Sequence, residues 1–71
     1  MSKKIAAYVQ LLATSAEARA EFKTDPDGAM ESFGLSVEEQ TVVASGNPDE
    51  IRAAVAQVDP DLARRLHIVM G

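Results

Sequence analysis

Residues 25–51, DPDGAMESFGLSVEEQTVVASGNPDEI, contain three signals for the start of a helix. Asp25-Pro26 and Asn47-Pro48 each place a capping side chain before a proline, which suits the first helical position because its missing N–H makes no bond there. Ser36 and Glu39 have the spacing of a capping box, in which each side chain bonds the other's backbone amide. Gly34 suits a left-handed C-terminal cap. The stretch therefore predicts two short helices and the beginning of another.

Similar signals extend the helical pattern in both directions. Ser2 can cap a first helix, and Thr14 with Glu17 forms a second capping box, which predicts a helix running to about Lys23. Asp59-Pro60 starts one or two further turns. We predict an all-α fold, a compact bundle of five or six short helices with an extendable C-terminal tail. Apolar residues at helical spacing mark the buried faces of the first and fifth helices: Ile5, Tyr8, Val9, Leu12, Ile51, Ala54, Val55 and Val58.

The composition narrows the range of partners and compartments. The chain has 71 residues, no cysteine and a net charge of −4. That length suits one domain, and the acidic balance argues against nucleic acid and anionic membranes as partners. Tyr8 and Gln10 interrupt the apolar N-terminal stretch, so we expect no cleaved signal peptide. Together with the absence of cysteine, this predicts a cytoplasmic protein.

Groups for catalysis are scarce. His67 is the only histidine, and most serines stand at helix starts. The acidic residues also cluster at helix starts, where the helix dipole accounts for them. We therefore expect no catalytic residue, no metal site and no cofactor in this chain, and predict that it is not an enzyme.

The C-terminal sequence DLARRLHIVMG, residues 61–71, allows two interpretations. Leu62, Leu66, Val69 and Met70 share one helical face, so the apolar run could complete a sixth helix against the bundle. The β-branched pair Ile68-Val69 instead favours extended backbone, which would suit recognition by another protein.

The stretch EFKTDPDGAMESFGLSVEEQTVVASGNPDEI, residues 21–51, resembles two related groups of proteins. One is the small helical α subunit of extradiol ring-cleavage dioxygenases. The other is the borosin-binding domain of split-borosin precursor peptides. The apolar C-terminal run favours the precursor, because a dioxygenase subunit would continue into further helices.

The resemblance implies a ribosomally made natural-product precursor that is a substrate. Its helical domain would dock on an S-adenosylmethionine-dependent α-N-methyltransferase, which binds the cofactor and is expected to be dimeric, giving a heterotetramer. The expected division is a recognition domain over 1–58, a linker or short helix over 59–65 and a core peptide over 66–71. The candidates for methylation are the backbone nitrogens of Ile68, Val69, Met70 and Leu66.

Other residues are candidates for contact with the partner. Each also has a simpler explanation, core packing for the apolar side chains and solvation for the arginines. Two alternatives to the precursor stay open: a dioxygenase-α-like helical module that binds or caps an enzyme partner, and a small scaffold whose tail completes its own core. The candidate partner contacts are Tyr8, Met30, Phe33, Leu35, Arg64 and Arg65.

Overall fold

The computed structural model describes residues 2–66, and every regular element in this range is a helix. The predicted all-α class is confirmed, and six helices lie in the described range. Within 59–65, expected to be a linker or a short helix, residues Pro60–Arg65 form a short helix and Asp59 is its cap. The helices are α1 (Lys3–Thr14), α2 (Ala16–Thr24), α3 (Pro26–Phe33), α4 (Val37–Ala44), α5 (Pro48–Val58) and α6 (Pro60–Arg65).

Most helix starts carry the cap that the sequence predicts. The Ser2 hydroxyl accepts from the Lys4 amide at α1, and Asp25 accepts from the Gly28 amide at α3. At α4, both halves of the Ser36–Glu39 capping box are present. The Asn47 side chain caps α5 by accepting from the amides of Asp49 and Glu50, directly before Pro48 at the first helical position. The helix boundaries therefore follow from side chains within three residues of each start.

The start of α2 differs from the prediction. Ser15, and not Thr14, is the cap, and its hydroxyl accepts from the Ala18 amide at 3.1 Å. The Thr14 hydroxyl donates back to the Gln10 carbonyl oxygen at 3.0 Å, because α1 continues through this residue. With two hydroxyl residues side by side, the sequence pattern selected the wrong one, and the predicted Thr14–Glu17 box does not form.

Two glycines follow the ends of α3 and α4. Gly34 has φ of 95° and forms the predicted left-handed cap, a conformation that L side chains rarely adopt. At the end of α4, Ser45 in right-handed helical geometry is the cap, and Gly46 with φ of 69° comes next. Both glycines reverse the chain direction before another helix begins.

The core lies where α1 and α5 pack together, and α5 also packs against α4 and α6. α2 packs against α1 and α3, so neighbours in sequence are mostly neighbours in space. Within residues 2–66, no helix has the length and apolar content needed to span a membrane. The buried apolar residues are Ile5, Ala6, Tyr8, Val9, Leu12, Met30, Leu35, Val43, Ile51, Ala54, Val55, Ala63 and Leu66.

Candidate functional site

The C-terminal end of the bundle is the part of the structure closest in sequence to the predicted core peptide. The Asp59 carboxylate accepts from the Leu62 amide at 3.1 Å and begins α6, which ends at Arg65. Leu66 follows with extended backbone (φ −75°, ψ 129°), and its residue surface is only 8% exposed. Leu66 is therefore the last described residue of the hydrophobic core.

A side chain from α5 binds the backbone at this point. Nη2 of Arg52 donates to the carbonyl oxygen of Leu66 at 3.3 Å. Arg52 itself lies on the exposed side of α5. A cation at the C-terminal end of a helix is favourable because the last carbonyl groups carry partial negative charge. Leu66 is thus held twice, through its side chain in the core and through its carbonyl oxygen.

Arg64 and Arg65 lie on the surface of α6. Arg64 forms an ion pair with Asp61, and both side chains are largely exposed to solvent, so the pair adds little stability. Nε of Arg65 donates to the Asp61 carbonyl oxygen at 3.3 Å. Beside them is a groove of about 330 Å³ between α1 and α6, lined by Gln10, Ala13, Thr14, Leu62, Arg65 and Leu66. Both arginines are accessible to a partner.

The structure corrects part of the predicted partner surface. Tyr8 is 3% exposed, Met30 is fully buried and Leu35 is 5% exposed, so these three residues belong to the core. Phe33 is half-buried and packs against the core from outside. The Tyr8 ring lies between Phe22 and Phe33, with centroid distances of 6.4 and 5.0 Å. Only Phe33 and the two arginines keep surface that a partner can touch.

The Tyr8 hydroxyl has no hydrogen-bond partner among the described residues. Burial raises its pKa above the usual value, and the negative charge of Glu21 raises it further. The phenol therefore stays neutral at physiological pH. An unpartnered buried hydroxyl costs free energy, so the aromatic packing with Phe22 and Phe33 must outweigh that cost.

Glu39 is the buried carboxylate of the bundle, only 2% exposed. Oε1 accepts from the Ser36 amide at 2.8 Å, and Oε2 accepts from both the amide and the hydroxyl of Ser2 at 3.1 Å. Burial by itself raises the pKa of this carboxyl, but the hydrogen bonds from Ser36 and Ser2 hold it below its usual value. The bond to Ser2 spans 37 positions in sequence and is not visible in the capping pattern. Glu39 thus joins the starts of α1 and α4 and is a structural carboxylate.

Val37 on α4 is an exposed apolar residue that was not among the predicted partner contacts. Val37 is 80% exposed and lines a groove of about 530 Å³ with Glu38, Thr41, Val42 and Gln57. The weak apolar pattern of α4, with Val42 and Val43 adjacent, is the sequence signal that this helix leaves an apolar side chain outside. Isolated exposed apolar residues are common on protein surfaces. Val37 is therefore a position at which to test docking.

The remaining predicted site residues, Ile68, Val69 and Met70, lie outside the described residues. Within residues 2–66, no group of three or more histidine, cysteine or carboxylate side chains is arranged to hold a metal ion. Comparison of the chain with protein-family models, with curated proteins and with solved structures gives no match. The interpretation of function therefore depends on the sequence and on the geometry of residues 2–66.

Proposed function

We propose that the chain is a precursor of the split-borosin type. Residues 2–66 form a recognition domain that docks on an S-adenosylmethionine-dependent α-N-methyltransferase. The backbone nitrogens of Ile68, Val69 and Met70 are its substrates. Leu66 moves from the predicted core peptide to the domain, because methylation of its nitrogen would require a buried residue to leave the core.

The observation that carries this proposal is the apolar run Ile68-Val69-Met70, which follows two positions after Leu66 in sequence. Leu66 itself is buried in the core of the domain. A backbone amide has to be free of hydrogen bonds to reach an active site, because a paired amide is occupied by its acceptor. The β-branched pair Ile68-Val69 favours the extended backbone that suits a threaded peptide.

The residues of the motif that resembles split-borosin precursors have a structural role at the helix ends. Asp25-Pro26, Gly34, Ser36–Glu39 and Asn47-Pro48 are all helix caps or first helical residues in the structure. The docking and methylation steps draw on the resemblance itself and on the apolar sequence after the domain.

Tethering explains the division between domain and substrate. A docked domain raises the effective concentration of the following residues at the active site without any specific contact to them. The methyltransferase supplies S-adenosylmethionine, the methyl group and the catalytic residues. A dimeric enzyme would bind two precursor chains and give a heterotetramer. The free cofactor is a cytoplasmic metabolite, and we place the reaction in the cytoplasm.

The accessible candidates for docking are Phe33, Arg64 and Arg65, to which the structure adds Val37. Val37→Glu places a charge on an exposed apolar position and should weaken a complex that uses α4, without loss of folding. Leu11→Glu is the matched control on α1, where the apolar side chain is 37% exposed.

Mass spectrometry after co-expression with a split-borosin α-N-methyltransferase from the same genome tests the proposal. We expect mass increments of one methylene each, assigned by fragmentation to the nitrogens of residues 68–70. Val69→Pro is the control, because proline has no N–H to replace, and the increment at residue 69 should disappear while the domain stays folded. An unmodified wild-type chain recovered in complex with active enzyme would contradict the proposal.

A further inference from the structure

The acidic and basic residues of this chain are unevenly distributed along its sequence. Residues 25–51, which include α3, α4 and the start of α5, contain no lysine or arginine. All seven lysines and arginines lie outside this stretch, whereas seven of the eleven acidic residues lie inside it. These acidic residues are Asp25, Asp27, Glu31, Glu38, Glu39, Asp49 and Glu50. The ionisable side chains of α3 and α4 are therefore all acidic.

The groove of about 530 Å³ beside Val37 belongs to this acidic part of the chain. Four of its five lining residues come from α4, and the fifth, Gln57, comes from α5. Val37 is 80% exposed and Val42 is half-buried, so the groove offers apolar surface to a partner. Glu38 is exposed beside them, and within residues 2–66 it has no cationic partner. Apolar surface and an available carboxylate thus lie side by side.

We propose that this groove between α4 and α5 is the docking site for the methyltransferase, and that the enzyme covers it with a basic surface. An apolar side chain of the enzyme packs against Val37 and Val42, and a lysine or arginine pairs with Glu38. This inference rests on the proposed function and adds the place of docking and the chemistry of the partner. Charge complementarity supports it, because an acidic surface attracts a basic partner and disfavours an acidic one.

The other exposed apolar side chain in the described part of the chain lacks this combination. Leu11 is 37% exposed and lies on α1, which carries two lysines and no acidic residue. Arg52, the first cation after the acidic stretch, donates to the Leu66 carbonyl oxygen and does not line the groove. An apolar centre with charged residues at its edge is the usual anatomy of a protein interface. Among residues 2–66, α4 matches that anatomy best.

Surface plasmon resonance of the full chain on the purified methyltransferase from the same genome tests the docking site. Glu38→Lys reverses a charge at the edge, so we expect the association rate to fall about tenfold and its salt dependence to weaken. Glu17→Lys is the matched control, because Glu17 is also exposed and also occupies the second position of its helix. It should change Kd by less than about threefold. Equal losses in the two variants would leave only an effect of net charge and overturn the proposal.

The apolar centre of the site is tested by a thiol probe. The chain contains no cysteine, so Val37→Cys introduces a single reactive group. Its labelling by a maleimide should slow when the methyltransferase is added, whereas Leu11→Cys should keep its rate. Slow labelling of Val37→Cys in the free chain would show that this chain or a second copy covers the groove. That result would also overturn the proposal.

Methylation of the same variants separates this inference from the proposed function. Circular dichroism of the free variants checks that the helical fold is retained, as expected for two exposed positions. Unchanged binding and methylation in both Val37→Glu and Glu38→Lys overturn the docking site and leave the proposed function intact. A wild-type chain that neither binds the enzyme nor gains a methyl group overturns the proposed function, and the docking site with it.

Discussion

The two ends of the described bundle are each held by one side chain from a distant helix, but in different ways. At the start, the buried Glu39 carboxylate accepts from the amide and the hydroxyl of Ser2, both at 3.1 Å. At the end, the exposed Arg52 guanidinium donates to the Leu66 carbonyl oxygen at 3.3 Å. One attachment is a set of hydrogen bonds to a buried carboxylate, and the other is one hydrogen bond from an exposed side chain to the backbone of a buried residue.

This difference predicts which of the two attachments contributes more to the stability of the fold. Glu39 also bonds the Ser36 amide, so loss of its carboxylate affects two helix starts together. Groups inside a buried network depend on one another, and an unpaired buried donor costs more than the bond is worth on average. The Arg52 bond involves one exposed side chain, and its loss leaves the Leu66 side chain in the core. Loss of the Glu39 carboxylate should therefore disturb the fold more than loss of the Arg52 guanidinium.

We expect Glu39→Ala to cause the largest loss of stability at the start of the bundle. It leaves the amides of Ser2 and Ser36 without their acceptor and removes the capping box, so we expect a loss of about 2–4 kcal/mol in the free energy of unfolding. Urea unfolding followed by circular dichroism measures it. Glu38→Ala, in the same first turn but exposed, is the control and should cost less than about 0.5 kcal/mol. Equal losses in both variants would show that the link to Ser2 contributes nothing.

Leu66→Ala tests the other end. Truncating a buried leucine costs about 2–5 kcal/mol, and we expect a value near the lower limit because Leu66 lies at the edge of the core. Thermal unfolding of the full chain measures the change. Leu11→Ala makes the same substitution at a side chain on the surface of α1, 37% exposed, and should have a much smaller effect. If the two variants melt alike, Leu66 is not part of the core in solution.

Acid should weaken the Glu39–Ser2 attachment and not the Arg52–Leu66 attachment. The pKa of Glu39 is lower in the folded chain than its ordinary value of 4.5, so its contribution to stability is complete above that pH. The contribution is lost as the pH falls through the lowered pKa. The effect is smaller than that of Glu39→Ala because a protonated carboxyl still accepts hydrogen bonds. Neither partner in the Arg52–Leu66 bond is a carboxyl group, so we expect acid in this range to leave that bond in place.

Chemical shifts of Ser2 and Leu66 along an acid titration separate the two ends. Ser2 should shift as Glu39 is protonated, while Leu66 stays constant until the whole domain unfolds. Glu39→Gln removes the titrating group and should abolish the early change at Ser2. Simultaneous changes at both ends would mean that the attachments are not independent.

The capping side chains are the part of the fold that sequence reasoning predicted best. Asp25, Ser36, Asn47 and the left-handed Gly34 have the roles that the sequence indicates. Where two hydroxyl residues were adjacent, the local pattern could not choose, and Ser15 rather than Thr14 caps α2. At the candidate site, sequence reasoning left both core packing and partner contact open for Met30, Leu35 and Tyr8, and the structure places all three in the core. Apolar periodicity predicts which face of a helix is buried. It does not predict whether that face packs against the same chain or against a partner protein.

The sequence by itself determined the all-α class and most helix starts, because each cap depends on bonds between residues two or three positions apart. Only the tertiary structure decided that Glu39 also holds Ser2 and that Arg52 holds Leu66. These contacts join residues 14 to 37 positions apart. Their existence depends on how the helices pack, and that arrangement is set by the shared apolar core rather than by any local pattern.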